Sequence, residues 1–321
     1  MEHRKLGRSE IAIAPLMLGG NVFNWTIDEA TSFAVLDAFV DAGFNAIDTA
    51  DVYARWATAG AGASETVIGA WLKRTGKRDK VVIASKFGLE MGEGKKGLSA
   101  RWMMEAVEDS LKRLQTDYID LYQSHADDAD APQDETMEAF SRLIAEGKVR
   151  IIGASNFEAS RLKSANAAAT AHGRPRYETL QPLYNLYDRA DFESGLAALC
   201  RDEQISVIPY YGLASGFLTG KYRSEADLGK SPRGRGVKRF LDERGLRILA
   251  AMDEVGARVS ATNAQVALAW LMAKVTAPIA SATSVEQVQE LVKAAEVKLD
   301  AAAVAALDAA SAPAPVPAQA E

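Results

Sequence analysis

Eight short apolar runs, each followed by a stretch of helical periodicity, limit this chain more than any other feature. The runs lie at residues 15–18, 45–48, 81–86, 119–125, 149–155, 179–183, 206–211 and 277–280. The helical patterns that follow them fall at about 28–42, 64–74, 99–113, 134–146, 157–171, 190–203, 242–258 with 262–273, and 284–295. Strands without polar alternation belong in a sheet covered on both faces. Strands alternating with helices predict a parallel sheet with crossover helices, and eight such units close naturally into a (β/α)8 TIM barrel. An open, doubly wound sheet is the competing architecture. Two strand-like pieces around Gly7-Arg8-Ser9 predict an N-terminal β-hairpin. The barrel domain is read as 1–311, and the Ala/Pro-rich segment 312–321 as a disordered tail.

Several function classes drop out early. The 321 residues carry a net charge of -6, which disfavours a general role on nucleic acid or anionic membranes. No apolar run is long enough to span a bilayer, and the first residues lack the apolar stretch of a signal peptide, so a cytoplasmic location is expected. Cys200 is the single cysteine, and His3, His125 and His172 are not clustered, so no metal site is expected.

Three of the apolar runs end in an ionisable residue: Asp48, Lys86 and His125. These close the second, third and fourth barrel strands, whose C-terminal ends share the rim where barrel enzymes carry out chemistry. Tyr53 follows Asp48 by five residues. The set suits carbonyl reduction. Such a reaction needs a proton donor beside a developing alkoxide. Free tyrosine, with a pKa near 10, is a poor acid at neutral pH. An adjacent ammonium is expected to lower that pKa, a carboxylate to hold the ammonium, and an imidazole to orient the carbonyl. Each residue alone also has an ordinary structural reading. Their joint occurrence on consecutive strands carries the argument.

The run Gly43-Phe44-Asn45-Ala46-Ile47-Asp48-Thr49-Ala50-Asp51-Val52-Tyr53, followed by Ser64-Glu65 and Ile68-Gly69, resembles the first signature of the aldo-keto reductase family. Asp117-Tyr118-Ile119-Asp120-Leu121-Tyr122-Gln123-Ser124-His125 is similar to its fourth-strand motif. Gly153-Ala154-Ser155-Asn156-Phe157, Gln181-Pro182-Leu183-Tyr184-Asn185-Leu186 and Gly216-Phe217-Leu218-Thr219-Gly220-Lys221-Tyr222 match in order. The resemblance implies a barrel that binds a nicotinamide dinucleotide. By it, Tyr53 is the proton donor, Lys86 and Asp48 the pair beside it, and His125 the carbonyl-orienting residue. Ser155, Asn156 and Gln181 hold the carboxamide, and Tyr210 stacks on the ring. Leu213, Ser215, Gly216 and Lys221 match the pyrophosphate loop, Gly20 and Asn21 lie beside the cofactor, and Tyr211 and Gly212 are also expected in the cofactor site, Tyr211 standing where relatives often carry Ser.

The loop 280–291 departs from the family pattern: it lacks Lys and Arg, and Leu291 stands where relatives carry Asn. It offers a 2′-phosphate only Ser281, Thr283 and Gln287, with Glu290 nearby. Arg233, Arg235, Lys238 or Arg239 from the preceding basic segment 230–239 are the cations expected to reach in. NADP(H) is favoured, with NAD(H) as the other option. Asn24, Trp25, Trp56, Phe87 and Tyr184 are expected to line a substrate pocket. The expected partner is a small carbonyl or alcohol, and homo-oligomerisation is left open.

Gly92-Glu93-Gly94-Lys95-Lys96-Gly97 fits a dinucleotide fingerprint, but Phe87–Met91 separate it from the preceding strand and Glu93 would repel a pyrophosphate. Two functions of different class remain: an NAD(P)H-dependent reductase of aldehydes or ketones, or a cofactor-binding regulatory subunit with slow turnover.

Overall fold

The computed structural model describes residues 1–230 and 234–313. The chain opens with an antiparallel hairpin, β1 (Arg4–Lys5) and β2 (Ala12–Ile13). Eight parallel strands follow: β3 (Met17–Gly19), β4 (Ala46–Asp48), β5 (Val82–Phe87), β6 (Ile119–Ser124), β7 (Val149–Ser155), β8 (Tyr177–Gln181), β9 (Ser206–Val207) and β10 (Ile279–Ala280). Their spatial order is β10-β3-β4-β5-β6-β7-β8-β9. The Ile279 amide donates to the Pro209 carbonyl at 2.9 Å, and the Thr276 amide to Val207 at 3.0 Å, so the last strand also meets the β9 segment. The expected (β/α)8 barrel and hairpin are both present, and the open sheet is excluded.

Ten α-helices cover the described barrel: α1 (Glu29–Asp41), α2 (Ala63–Thr75), α3 (Ala100–Leu114), α4 (Gln133–Ala145), α5 (Ala159–Ala171), α6 (Ala197–Asp202), α7 (Glu243–Val259), α8 (Asn263–Met272), α9 (Val285–Lys293) and α10 (Ala301–Ser311). Polar caps fix several starts. Asp28 accepts from the Thr31 amide, Ser99 from Trp102, and Thr262 and Gln265 form a reciprocal capping box. Ser284 accepts from the Gln287 amide, but Gln287 Oε1 reaches back to the Thr283 amide, so no reciprocal box forms there. The pattern at 190–203 divides into a π-turn over Phe192–Leu196 and α6. The segment α10 lies beyond the last sequence-predicted helix.

Strand alternation separates two cores. Met17, Ala46, Val82, Ala84, Leu121 and Ile279 fill the barrel interior, joined by Leu6, Ile11 and Ile13 of the hairpin. The hairpin thus packs against the interior core. Arg4 Nη1 fixes it by donating to the Met272, Val275 and Thr276 carbonyls at 2.8–3.0 Å. The larger core lies between strands and helices. Inward positions continue up each strand in steps of two, from Ala46 to Asp48, from Ala84 to Lys86 and from Leu121 to Gln123. The hydrophobic register therefore carries the polar residues to the C-terminal mouth.

Helices α2 and α3 approach closely at Gly69. A Cβ added at Gly69 would lie 2.1 Å from the Arg113 carbonyl oxygen and 2.7 Å from the Leu114 carbonyl carbon. These are backbone atoms and cannot rotate aside. Gly69→Ala gains about 1 kcal/mol of helix propensity but overpacks the contact at about 1–3 kcal/mol. The expected net result is a Tm lower by several degrees in thermal unfolding. An unchanged Tm would show that the helices separate at no cost.

The run 92–97 folds into a glycine-rich turn with Gly92, Gly94 and Gly97 at positive φ. None of its residues lines the barrel-mouth cavity, so it has no part in a dinucleotide fingerprint. The segment 312–321 falls mostly outside the described residues. Ala312 is held by Arg244 Nε, which donates to its carbonyl at 3.1 Å. No helix among the described residues is long and apolar enough to cross a membrane.

Candidate active site

The C-terminal mouth of the barrel opens into a cavity of about 1140 Å³. Lys86 does not line this cavity; it is fully buried behind the lining residues Asp48 and Tyr53, and each of its ammonium donors has a partner. Its Nζ lies 2.8 and 2.9 Å from the two Asp48 carboxylate oxygens, 2.8 Å from the Thr49 carbonyl and 2.9 Å from Tyr53 Oη. Tyr53 Oη in turn donates to Asp48 Oδ2 at 3.2 Å. Gln181 Nε2 donates to Asp48 Oδ1 at 3.0 Å. Asp48 therefore anchors β4, β5, β8 and the Tyr53 turn at one point. A buried charge pair is tolerated only when its lone pairs and protons are satisfied in this way.

These surroundings set the protonation states. Burial, then the Asp48 carboxylate, pushes the Tyr53 phenol well above its usual pKa. Lys86 Nζ, 2.9 Å from the phenol oxygen, stands where negative charge would develop if the proton left. Burial also pulls Lys86 down from its usual value, opposed by Asp48. Burial, and secondarily Lys86, holds His125 well below the usual imidazole range, so it is neutral at pH 7. Its Nδ1 has no hydrogen-bond partner among the described residues. The His125 ring lies 6.0 Å from that of Tyr53, edge to face.

A polar chain runs from this cluster around the mouth. Ser155 Oγ donates to the Gln181 carbonyl at 2.8 Å. Asn156 Nδ2 donates to the His125 carbonyl at 2.9 Å and to Ser155 Oγ at 3.1 Å. Tyr210 Oη donates to Asn156 Oδ1 at 2.8 Å. After β9 the backbone turns left-handed at Tyr211, Ala214, Ser215 and Gly216, with φ of 56°, 47°, 57° and 95°. Glycine accepts such a φ freely, and Ser215 adopts it only at a cost. Successive turns of this kind form concavities of backbone N–H groups that suit anions.

Asn21, Asp48, Ser155, Asn156, Gln181, Tyr210, Tyr211, Gly212, Leu213, Ser215, Gly216, Lys221, Ser281, Thr283, Gln287 and Glu290 all line this one cavity, with Tyr53 and His125. Trp25 and Trp56 line it as well. The donor set fits a nicotinamide dinucleotide: amide and hydroxyl groups near the reacting residues, an aromatic ring at Tyr210, and a left-handed turn with Lys221 beyond.

Five expected residues lie elsewhere. Gly20 is packed beneath the rim, where a Cβ would sit 2.9 Å from Ser64 Oγ; Gly19 lines the cavity instead. Phe87 follows inward-facing Lys86 and so points outward, stacking on Tyr122 at 5.0 Å. Tyr184 is buried against Phe192 and Trp270, and its hydroxyl donates to Glu193 at 2.7 Å. Asn24 occupies a left-handed turn, φ 53°, outside the lining. Arg235 is exposed and does not line the cavity, and Arg233 lies outside the described residues. The segment after β9 instead presents Lys230, whose Nζ lies 2.9 Å from the Lys221 carbonyl and 2.7 Å from Asp227.

Lys230 opens a basic run that continues through Arg233, Arg235, Lys238 and Arg239 in the sequence. Val52 and Leu89 also line the cavity. Leu89 lies two residues past outward-facing Phe87, beyond the reach of strand alternation.

In the 280–291 loop, Ser281 Oγ donates to Asn21 Oδ1 at 2.5 Å. Thr283 donates to Gln287 Oε1 through its amide at 2.9 Å and its hydroxyl at 3.1 Å. Glu290 Oε1 accepts from Thr262 at 2.9 Å.

Comparison with known proteins agrees with this geometry. The Aldo/keto reductase family model matches residues 15–312. The uncharacterised oxidoreductase YrpG of Bacillus subtilis is 36% identical over 310 residues, covering 94% of this chain and 93% of that protein. Protein tas of Escherichia coli is 32% identical, covering 96% and 97%. The aldo-keto reductase yakc [NADP(+)] of Schizosaccharomyces pombe is 31% identical, covering 94% and 88%. Barrel, site and matches over nearly the whole chain agree: the protein belongs to the aldo/keto reductase family.

Proposed function

We propose that the protein reduces an aldehyde or ketone, or runs the reverse oxidation of an alcohol, with Tyr53 as the general acid. The observation that carries this reading is Tyr53 Oη, hydrogen-bonded to Lys86 Nζ at 2.9 Å and to Asp48 at 3.2 Å on the wall of the cavity. A nicotinamide dinucleotide, when bound, supplies the hydride. Tyr53 holds its proton at neutral pH, as a reduction requires. As that proton leaves, negative charge develops on the phenol oxygen, and Lys86 is in place to stabilise it. Neutral His125 has one N–H to donate and orients the carbonyl oxygen toward Tyr53. Asp48 fixes the lysine. Ser155, Asn156 and Gln181 hold the carboxamide, Tyr210 stacks on the ring, and the turn from Tyr211 to Gly216 with Lys221 holds the pyrophosphate.

NADP(H) is favoured, with the charge for a 2′-phosphate coming from Lys230 rather than from the 280–291 loop. Support comes from Lys230 in the cavity lining and from the relative named for NADP(+). Fluorescence titration with NADPH and NADH, followed by turnover on 4-nitrobenzaldehyde, tests both statements. Both cofactors should bind, and Lys230→Ala should weaken NADPH several-fold more than NADH. Equal weakening of the two would place Lys230 on shared groups. Tight cofactor binding without turnover of any carbonyl or alcohol would defeat the reductase reading.

A further inference from the structure

The turn after β9 carries backbone strain. Tyr211, Ala214 and Ser215 all occupy the left-handed region, at a cost that glycine does not incur. Such angles persist only where the surroundings enforce them. The Tyr211 carbonyl shows what enforces the first of them. It accepts from the Ala214 amide at 2.7 Å, within the turn, and from Asn185 Nδ2 at 3.1 Å, outside it.

Asn185 belongs to the segment after β8 and is fully buried. Its Oδ1 accepts from the amides of Tyr187 at 2.8 Å and Asp188 at 2.9 Å. Its Nδ2 also donates to Asp188 Oδ2 at 3.2 Å. Asp188 is gripped from its other side by Arg239, whose Nη1 and Nη2 donate to the two carboxylate oxygens at 3.1 and 2.9 Å. Two amides hold the oxygen of Asn185 and a carboxylate holds its nitrogen, so the remaining N–H has one fixed direction, toward Tyr211. Neither Asn185 nor Asp188 lines the cavity. The same segment also fixes Tyr210, whose amide donates to the Pro182 carbonyl at 3.0 Å.

We infer that Asn185, braced by Asp188 and Arg239, is a positioning residue that holds Tyr211 left-handed and so keeps the N–H concavity of the turn formed before a dinucleotide arrives. Preorganisation of this kind removes an ordering cost from binding. The inference deepens the cofactor reading and rests on it for the affinity readout. The test is a double-mutant cycle read by fluorescence titration with NADPH. Asn185→Ala should weaken NADPH about tenfold where Tyr211 is retained, the scale of an unsupported left-handed residue. In a Tyr211→Gly background the same change should cost less than about threefold, because glycine adopts the angle unaided. A merely structural role for Asn185 would weaken binding by one factor in both backgrounds. Asp188→Ala, at a partly exposed position, gives the same comparison if Asn185→Ala does not fold. Equal factors in the two backgrounds, or no weakening in either, would overturn the inference and leave the cofactor reading standing. If the unmodified protein binds neither NADPH nor NADH, the cofactor reading fails by itself. Hydrogen exchange of the 211–216 amides in cofactor-free protein then decides the inference. Faster exchange in Asn185→Ala, smaller in the Tyr211→Gly background, supports it, and unchanged or equally faster exchange overturns it.

Discussion

Tyr53→Phe is expected to lower single-turnover carbonyl reduction by about 10²–10⁴, the range for losing a general acid, with cofactor affinity near wild type. The substitution removes one oxygen and keeps the ring that packs near Trp56 and His125. The two bonds lost are those from Lys86 at 2.9 Å and to Asp48 at 3.2 Å. Retention of more than about a tenth of the rate would mean that another group delivers the proton. The pH dependence has a defined sign. Burial and Asp48 raise the phenol pKa, so the proton stays on through neutral pH. Reduction should be flat from about pH 6 to 9, and alcohol oxidation, which needs the phenolate, should rise with pH. Neutral His125, held low by burial and Lys86, adds no inflection near its ordinary value.

Lys86→Met carries the second large effect, and it has two parts. Removing the ammonium takes away a charge-assisted bond to the phenol oxygen, worth about 1.5–3 kcal/mol, so reduction should slow by about 10- to 100-fold or more. It also leaves Asp48 buried at 2% exposure without its cation. Breaking a buried pair from one side costs about 3–5 kcal/mol of stability, which denaturant unfolding reads separately. Lower pH should not restore the rate, because Tyr53 already holds its proton. Recovery at low pH would show instead that the lysine acts by shifting the tyrosine pKa, as spacing alone had indicated.

Where sequence pattern and structure agree, one physical reason accounts for it. An ionisable residue that ends an apolar run violates the hydrophobic pattern, and Asp48, Lys86 and His125 each do so at the end of a barrel strand. The period of two then places them inward, above Ala46, Ala84 and Leu121. The eight-fold repeat of run and helix was equally legible, because each strand is buried on both faces.

The exceptions are equally physical. Phe87 adjoins Lys86 in sequence, but adjacent strand residues face opposite sides, so only one of the two reaches the cavity. Tyr184 follows the Gln181 motif, yet its neighbours Phe192 and Trp270 come from later elements. The helix α10 is alanine-rich and buries only Ala303, Leu307 and Ser311, so its periodicity is faint. Asp300, which accepts from the Ala303 amide at 2.7 Å, was the available signal. The burial of the Tyr53 phenol was not legible, because spacing reports neighbours but not desolvation.

The central claim is that this cavity brings a hydride donor and the Tyr53 proton to one carbonyl. The most direct measurement follows deuterium from reduced cofactor carrying deuterium at both nicotinamide C4 positions into product during a single turnover of 4-nitrobenzaldehyde. The account predicts one deuterium on the former carbonyl carbon of each product molecule, and loss of that transfer in Tyr53→Phe at unchanged cofactor occupancy. Unlabelled product, or labelled product formed at the wild-type rate by the Tyr53 variant, would contradict it.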